Sequence, residues 1–161
     1  MILIGIDPGI VNIGYCVFDT DVNKIISTGE ITATQPDDSD KLVHIYHQYQ
    51  KLLTEHSPDT LIYEAPVFLG RGNNGERLNR AIGIFEVLSR LKSMSIYSYT
   101  PKHIKLVVTG TGKADKAMIS NSVNEYLGTT TKFTSSHSAD AIAIVITYIK
   151  DESINIDGIA E

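Results

Sequence analysis

The chain has 161 residues, which is enough for one well-buried domain and short for two. Its 42% hydrophobic and 20% charged residues are typical of a soluble globular protein, and no apolar run approaches the roughly 20 residues of a membrane helix. The net charge of −5 argues against nucleic-acid binding if the charges are evenly spread, because contact with phosphate requires a basic surface.

The first third of the chain has the pattern of three strands. We predict them at residues 2–7, 12–18 and 24–33, where apolar and β-branched residues are separated by short polar connections. Such connections favour antiparallel hairpins. Residues 38–56 carry apolar side chains at helical spacing, and residues 60–64 form a short apolar run that is typical of a buried parallel strand.

The rest of the chain alternates helices with one more strand. A loop rich in glycine and asparagine occupies residues 70–75, and polar residues 129–136 form a linker. We predict a strand at 95–100 and helices at 76–94, 101–108, 113–127 and 137–150. This order indicates an α/β fold with a mixed five-stranded sheet, three antiparallel strands followed by parallel strands, and helices on both faces. We expect one domain over residues 1–150 and an acidic, frayed tail over 151–161.

Four polar residues are placed next to apolar segments. Asp7 and Glu64 each end a predicted strand, and His137 and Asp140 lie together at the start of the last helix. Buried carboxylates are unfavourable unless a positive group compensates them, and a divalent cation such as Mg²⁺ or Mn²⁺ does so when several converge. Two such ions, held about 4 Å apart, clamp the attacking and leaving oxygens of a phosphodiester. The pattern therefore predicts metal-dependent cleavage of nucleic acid.

Each of these residues also has an ordinary explanation. Asp7 belongs to an Asp-Pro-Gly turn, in which Gly9 alternatively allows close approach of a phosphate or metal. Glu64 can simply face solvent at a strand end. His137 and Asp140, three residues apart on one helix face, can be polar first-turn residues behind a serine N-cap, where the helix dipole favours an anion.

The charges are unevenly distributed along the chain. Residues 64–116 hold nine Lys or Arg and four Asp or Glu, a net charge of +5, so the remainder is net −10. A basic central segment can present a cationic face in an acidic protein, although solvated helix faces are the ordinary role of such residues. The N-terminus shows no signal peptide, and the single cysteine, Cys16, fits a reducing compartment.

Five strings, in order along nearly the whole chain, resemble the RuvC family of Holliday-junction resolvases within the RNase H-like superfamily. They are Ile-Gly-Ile-Asp-Pro-Gly at 4–9, Tyr-Glu at 63–64, Thr-Pro-Lys-His-Ile-Lys at 100–105, Gly-Thr-Gly-Lys-Ala-Asp-Lys at 110–116 and Ser-Ala-Asp-Ala-Ile-Ala at 138–143. The chain is similar in particular to the short resolvases of bacteriophages that infect Gram-positive bacteria.

The resemblance implies roles for individual residues. The metal-binding acids of the family fall on Asp7, Glu64 and Asp140, and its fourth position, often aspartate, falls on His137. The functional lysines fall on Lys105 and Lys116. The aromatic residue that stacks on an unpaired base corresponds to Phe68, for which core packing is the competing role. Together with Lys105 and Lys116, the DNA-binding candidates are Phe68, Arg71 and Lys113.

The resemblance implies a single RNase H-like domain that acts as a cytoplasmic, Mg²⁺-dependent endonuclease on branched DNA, with two ions per site and Mn²⁺ also supporting activity. It also implies a homodimer, because two symmetric cuts need two active sites. The apolar face of helix 76–94 is the candidate interface, unless the intramolecular core uses it. The alternatives are a non-catalytic, structure-specific nucleic-acid-binding relative, an RNA-directed nuclease of the same fold, and a sugar-kinase or actin-like phosphotransferase.

Overall fold

The computed structural model describes residues 1–66, 73–130 and 135–152. In chain order the strands are β1 (Ile2–Asp7), β2 (Asn12–Asp19), β3 (Lys24–Thr32), β4 (Thr60–Glu64) and β5 (Ser95–Tyr99). The helices are α1 (Asp38–His56), α2 (Asn73–Leu91), α3 (Pro101–Thr109), α4 (Lys116–Leu127) and α5 (Ser136–Asp151). No helix within these ranges is long and apolar enough to cross a membrane.

The five strands form one mixed sheet in the order β3-β2-β1-β4-β5. β2 pairs antiparallel with both β1 and β3, whereas β4 runs parallel to β1 and β5 runs parallel to β4. Three antiparallel strands are thus followed by parallel ones, with helices on both faces, which confirms the predicted fold class.

Successive side chains of each strand point to opposite faces of the sheet, and each face packs against its own layer of helices. The layer that we call the α5 layer holds α3, α4 and α5, which pack with Leu3, Cys16 and Ile62 on one face of the sheet. The other, the α1–α2 layer, packs with Ile4 and Ile6 on the opposite face. From residue 138 to residue 149, every residue of α5 except Asp140 is buried, which explains why this stretch is apolar almost all round.

Helix boundaries differ from the predicted ones where a cap decides them. α4 begins at Lys116 rather than at residue 113, because the side chain of Asp115 accepts a hydrogen bond from the backbone N–H of Met118 and caps the helix. α5 begins at residue 136 because Ser135 is its N-cap, in a capping box with Ser138. α2 begins at residue 73, inside the segment predicted as a loop, and ends at 91 rather than 94.

The apolar face of α2 belongs to the intramolecular core. Ala81, Ile82, Phe85 and Leu88 are all buried in the α1–α2 layer, so this face is not free to form the predicted dimer interface. The core alternative is the one that the structure adopts.

The C-terminal end of α5 passes the predicted end of the domain by one residue. Asp151 is helical, and its Oδ2 lies 2.6 Å from Nε2 of His103 on α3. The remainder of the predicted tail, residues 153–161, lies outside the described residues, and the predicted division into a domain and a tail remains a prediction.

Candidate active site

A cleft of about 210 Å³ lies at the carboxyl ends of the two central parallel strands. Asp7 and Glu64 end β1 and β4, and the pairing of Ile6 with Tyr63 places these two strand ends side by side. Both side chains lie on the sheet face that the α5 layer covers, because each is two residues from a glycine or isoleucine facing that layer. The cleft is lined by Asp7, Glu64, Pro101, Ile104, Lys105, Lys116, Ile119 and Asp140.

The N-terminal end of α5 brings two further polar groups to Asp7. Oxygen or nitrogen atoms of Asp7, His137 and Asp140 all lie within 4.8 Å of one another, which is close enough to share a metal ion. Nδ1 of His137 lies 2.7 Å from Oδ2 of Asp7, at hydrogen-bonding distance. Glu64 is outside this group of three, although it lines the same cleft.

Burial raises the pKa of the acids in the cleft. Burial raises the pKa of Glu64 from its ordinary 4.5 to about 7, and the charges of Asp7 and Asp140 add to the effect. Burial also raises the pKa of Asp7, an effect that the hydrogen bond from His137 opposes and the charge of Asp140 reinforces. The cleft is therefore electrostatically unfavourable to its own carboxylates and favourable to a cation.

The helix dipole contributes less at Asp140 than the sequence indicates. Because α5 begins at residue 136, Asp140 is the fifth helical residue and lies beyond the first turn, where the dipole acts most strongly. Burial dominates, and the pKa of Asp140 is raised despite the opposing charges of Lys116, His137 and Lys105.

Two lysines supply positive charge to the cleft from the α5 layer. Lys105 projects from α3, whose N-cap is Thr100, and Lys116 is the first residue of α4. Nζ of Lys116 donates a hydrogen bond of 3.3 Å to the hydroxyl of Ser136, the first residue of α5. Three carboxylates and two ammonium groups thus line the cleft, and the imidazole of His137 adjoins it through its contact with Asp7.

The other predicted DNA-binding residues are not part of this cleft. Lys113 is exposed in the loop before α4 and does not line it. Phe68 and Arg71 lie outside the described residues. The basic segment is divided between the two faces of the sheet, since Arg77 and Arg90 belong to α2 in the α1–α2 layer. Of its described basic residues, Lys105 and Lys116 are the ones that line the cleft.

Sequence reasoning missed residues that make room for the site. A Cβ atom on Gly14 would lie 2.0 Å from the carbonyl oxygen of His137, and one on Gly5 would lie 2.7 Å from that of Ala141. The only signal in the sequence is that two neighbouring strands each carry a glycine. Gly9 is required by the turn itself, because a Cβ there would meet the carbonyl oxygen of Asn12 at 1.9 Å.

Comparison with known proteins decides the family. The model of the family "Crossover junction endodeoxyribonuclease RuvC" matches residues 3–148. The chain belongs to the RuvC family. RuvC of Finegoldia magna is 34% identical over 153 residues, covering 92% of this chain and 93% of the relative. RuvC of Fusobacterium nucleatum is 31% identical over 152 residues, covering 92% of this chain and 80% of the relative.

Solved structures of the RuvC family share the fold of this chain. RuvC of Thermus thermophilus, alone and in complex with a Holliday junction substrate, matches with a TM-score of 0.84 in both cases. The identities are 23% and 20%, and each match covers 97% of this chain and 98% of the other.

The comparisons confirm the predicted family, the enzyme class and the function, a metal-dependent endonuclease of branched DNA, as those of the RuvC family. The relatives named above are bacterial proteins, and the particular likeness to bacteriophage resolvases remains a prediction.

Proposed function

We propose that this chain hydrolyses phosphodiester bonds of four-way DNA junctions in the cleft formed by β1, β4 and the N-terminal end of α5. The observation that carries the proposal is the convergence of Asp7, Glu64 and Asp140 with Lys105 and Lys116 in one cleft. Membership of the RuvC family supports the choice of substrate. A bacterial or bacteriophage enzyme acting on such DNA would work in the cytoplasm.

The donor set fits divalent metal ions. Carboxylate oxygens and one imidazole suit Mg²⁺ or Mn²⁺, and burial, which raises the pKa of all three acids, leaves carboxylates that cations would neutralise. Asp7, Glu64, Asp140 and His137 are the residues that would hold such ions. When bound, such ions would neutralise phosphate charge and make water a stronger nucleophile.

The remaining groups would act on the phosphate and on the metal ligands. Lys116 and Lys105 lie where they can stabilise negative charge developing on a phosphate oxygen. His137 has a secondary role, because its Nδ1 already contacts Asp7. That contact has to open, or Nε2 has to serve instead, before the imidazole can hold an ion.

A side-by-side cleavage assay tests this function. A four-way DNA junction, a fork, duplex DNA and structured RNA are incubated with the protein and Mg²⁺, and the junction is expected to be cut fastest. Glu64→Gln should remove cleavage, whereas Glu55→Gln, on the exposed end of α1, is the matched control and should leave it unchanged. Junction binding without cleavage in Mg²⁺ and Mn²⁺ would identify a non-catalytic relative, and faster cleavage of RNA would identify an RNA-directed nuclease.

We also propose that the protein is a homodimer that pairs through the outer side of α2 and the edge strand β5. Val87 and Leu91 are 60% and 76% exposed beside a groove of about 710 Å³, which Tyr97 also lines. Glu86 and Arg90 line the same groove one helical turn apart. A two-fold axis near residue 88 would bring Glu86 of each copy toward Arg90 of the other, so the surface is complementary to itself.

The oligomeric state tests this interface. Leu91→Glu places a charge within the proposed contact and should convert the dimer into a folded monomer in sedimentation experiments. Val43→Glu is the matched control, because Val43 is 54% exposed on α1 and away from the groove. A Leu91→Glu protein that sediments like the wild type would contradict the proposed interface.

A further inference from the structure

Two glycines lie on the sheet face directly under α5. Gly5 pairs with Cys16 and Gly14 pairs with Asp7 in the antiparallel register of β1 and β2. A Cβ atom on Gly14 would lie 2.0 Å from the carbonyl oxygen and 2.4 Å from the carbonyl carbon of His137. On Gly5 it would lie 2.5 Å from Cγ2 of Val145 and 2.7 Å from the carbonyl oxygen of Ala141.

These contacts follow one line along the helix. His137, Ala141 and Val145 are four residues apart and therefore share one side of α5, which rests its backbone on the two glycines. Gly14 is the more demanding position, because its neighbours are backbone atoms of the helix start rather than the end of a flexible side chain. The contact point is next to Asp7, which Gly14 faces across the β1–β2 pair.

We infer that Gly14, supported by Gly5, is a positioning residue of the metal centre. By carrying no side chain, it lets the start of α5 touch the sheet, and this close approach sets the distances from His137 and Asp140 to Asp7. The inference rests on the proposed function, since it concerns the same cleft. It adds that two residues with no ligand atom of their own determine whether the ligands converge.

The sizes of the displacements support this. Cβ atoms essentially never come within 3.0 Å of such neighbours, so an alanine at position 14 must push the helix start outward by at least about 1 Å. Metal–ligand distances tolerate changes of only about 0.2 Å. His137 Nδ1 and Asp7 Oδ2 are 2.7 Å apart now, and the three-residue group spans 4.8 Å. A shift of this size therefore moves the ligands on α5 out of reach of those on β1.

Calorimetric titration of the full chain with Mn²⁺ alone tests the inference. Gly14→Ala should raise the dissociation constant for Mn²⁺ at least tenfold, while its far-ultraviolet circular dichroism spectrum should match that of the wild type. Gly83→Ala on α2 is the matched control, because a Cβ there meets no atom within 4 Å, and its Mn²⁺ affinity should be unchanged. Junction binding by Gly14→Ala in EDTA should also be unchanged, because the variant keeps Lys105 and Lys116, which contact phosphate in the proposed function.

A folded Gly14→Ala protein that binds Mn²⁺ within twofold of the wild type would overturn the inference, because a packing role alone lowers stability without changing metal affinity. If Gly14→Ala does not fold, the double variant Gly5→Ala/Val145→Ala provides the test instead. That pair removes the side-chain clash and leaves only the 2.7 Å contact with the carbonyl of Ala141, so a smaller shift and an Mn²⁺ affinity at least threefold weaker are expected. A change below twofold there would also overturn the inference.

The wild type and Asp7→Asn separate this result from failure of the proposed function. Wild-type protein that binds no Mn²⁺, or Asp7→Asn protein that binds it as tightly as the wild type, would refute the metal site itself and the inference with it. Tight binding that Asp7→Asn removes and Gly14→Ala leaves intact would refute the inference alone.

Discussion

The two helical layers differ in whether their buried polar groups are satisfied by one another. In the α1–α2 layer, the hydroxyls of Tyr49 and Ser89 are buried 2.8 Å apart, and the hydroxyl of Tyr63 donates a 2.6 Å hydrogen bond to Glu86. On the α5 side of the same sheet, burial and the charges of neighbouring acids raise the pKa of Asp7 and Glu64, although Asp7 also contacts His137. Polar groups that satisfy each other stabilise a fold, whereas a cluster of like charges is retained because it binds something else.

Truncation of the proposed metal ligands on α5 should give the largest loss of junction cleavage. Asp140→Ala is expected to lower junction cleavage about a thousandfold, because it removes one of three converging carboxylates. His137→Ala should be milder, about ten- to a hundredfold, and Mn²⁺ should restore it better than Mg²⁺, since imidazole suits the softer ion. Single-turnover cleavage in each metal measures both. Equal losses for both variants in both metals would contradict the secondary role of His137.

The two lysines of the cleft should differ in which step they affect. Lys116→Ala is expected to lower the cleavage rate at saturating enzyme about ten- to a hundredfold with near-normal affinity, because Lys116 acts on the reacting phosphate. Lys105→Ala should lower both rate and affinity and flatten the salt dependence of binding by about one unit. Lys113→Ala, outside the cleft, is the comparison variant. Wild-type behaviour of Lys105→Ala and Lys116→Ala would show that these residues form only a solvated face.

Metal affinity should depend on pH through Glu64. Its pKa of about 7 means that a proton must leave before an ion binds, so Mn²⁺ affinity should fall about tenfold per unit below pH 7. The folded state holds this proton between pH 4.5 and 7 and the unfolded state does not, so metal-free stability should fall as pH rises through that window. Titrations and thermal unfolding at several pH values measure both trends. A metal affinity independent of pH from 5 to 8 would contradict the raised pKa.

The paired groups of the α1–α2 layer should show the smallest functional effect. Tyr49→Phe leaves the buried hydroxyl of Ser89 without its 2.8 Å partner, and we expect a loss of about 1–2 kcal/mol in the free energy of unfolding. Cleavage per folded molecule should not change. Denaturant unfolding and junction cleavage of the same preparation test this, and a tenfold loss of cleavage would show that the two layers are coupled.

The sequence predicted the site best where the signal is local. The ends of β1 and β4 followed from apolar runs, and the parallel pairing of those strands then placed Asp7 beside Glu64. Asp140 followed from its position directly before the apolar run of the last predicted helix. The close approach of Gly14 to His137 could not be predicted, because it joins residues that are 123 positions apart through a contact without a side-chain pattern.

Helix boundaries and helix faces were predicted less well, for a different reason. Lys113 and Lys116 look equivalent in the sequence, and only the cap formed by Asp115 places one at the helix start and leaves the other in the loop. The apolar face of α2 has the same periodicity whether a partner or the protein's own core buries it, so the pattern could not distinguish an interface from the α1–α2 layer. Phe68 and Arg71 remain predictions.

Asp7→Asn tests the central claim, that the carboxylate cluster is kept for metal binding at a cost in stability. With metal removed at pH 8, the variant should melt about 2–4 °C higher than the wild type, because one of three mutually repelling charges is gone while the amide oxygen can still accept from His137. In Mg²⁺ it should bind the junction at least as tightly as the wild type and fail to cut it. A variant that melts lower than the wild type and cuts the junction within tenfold of the wild-type rate would contradict the account.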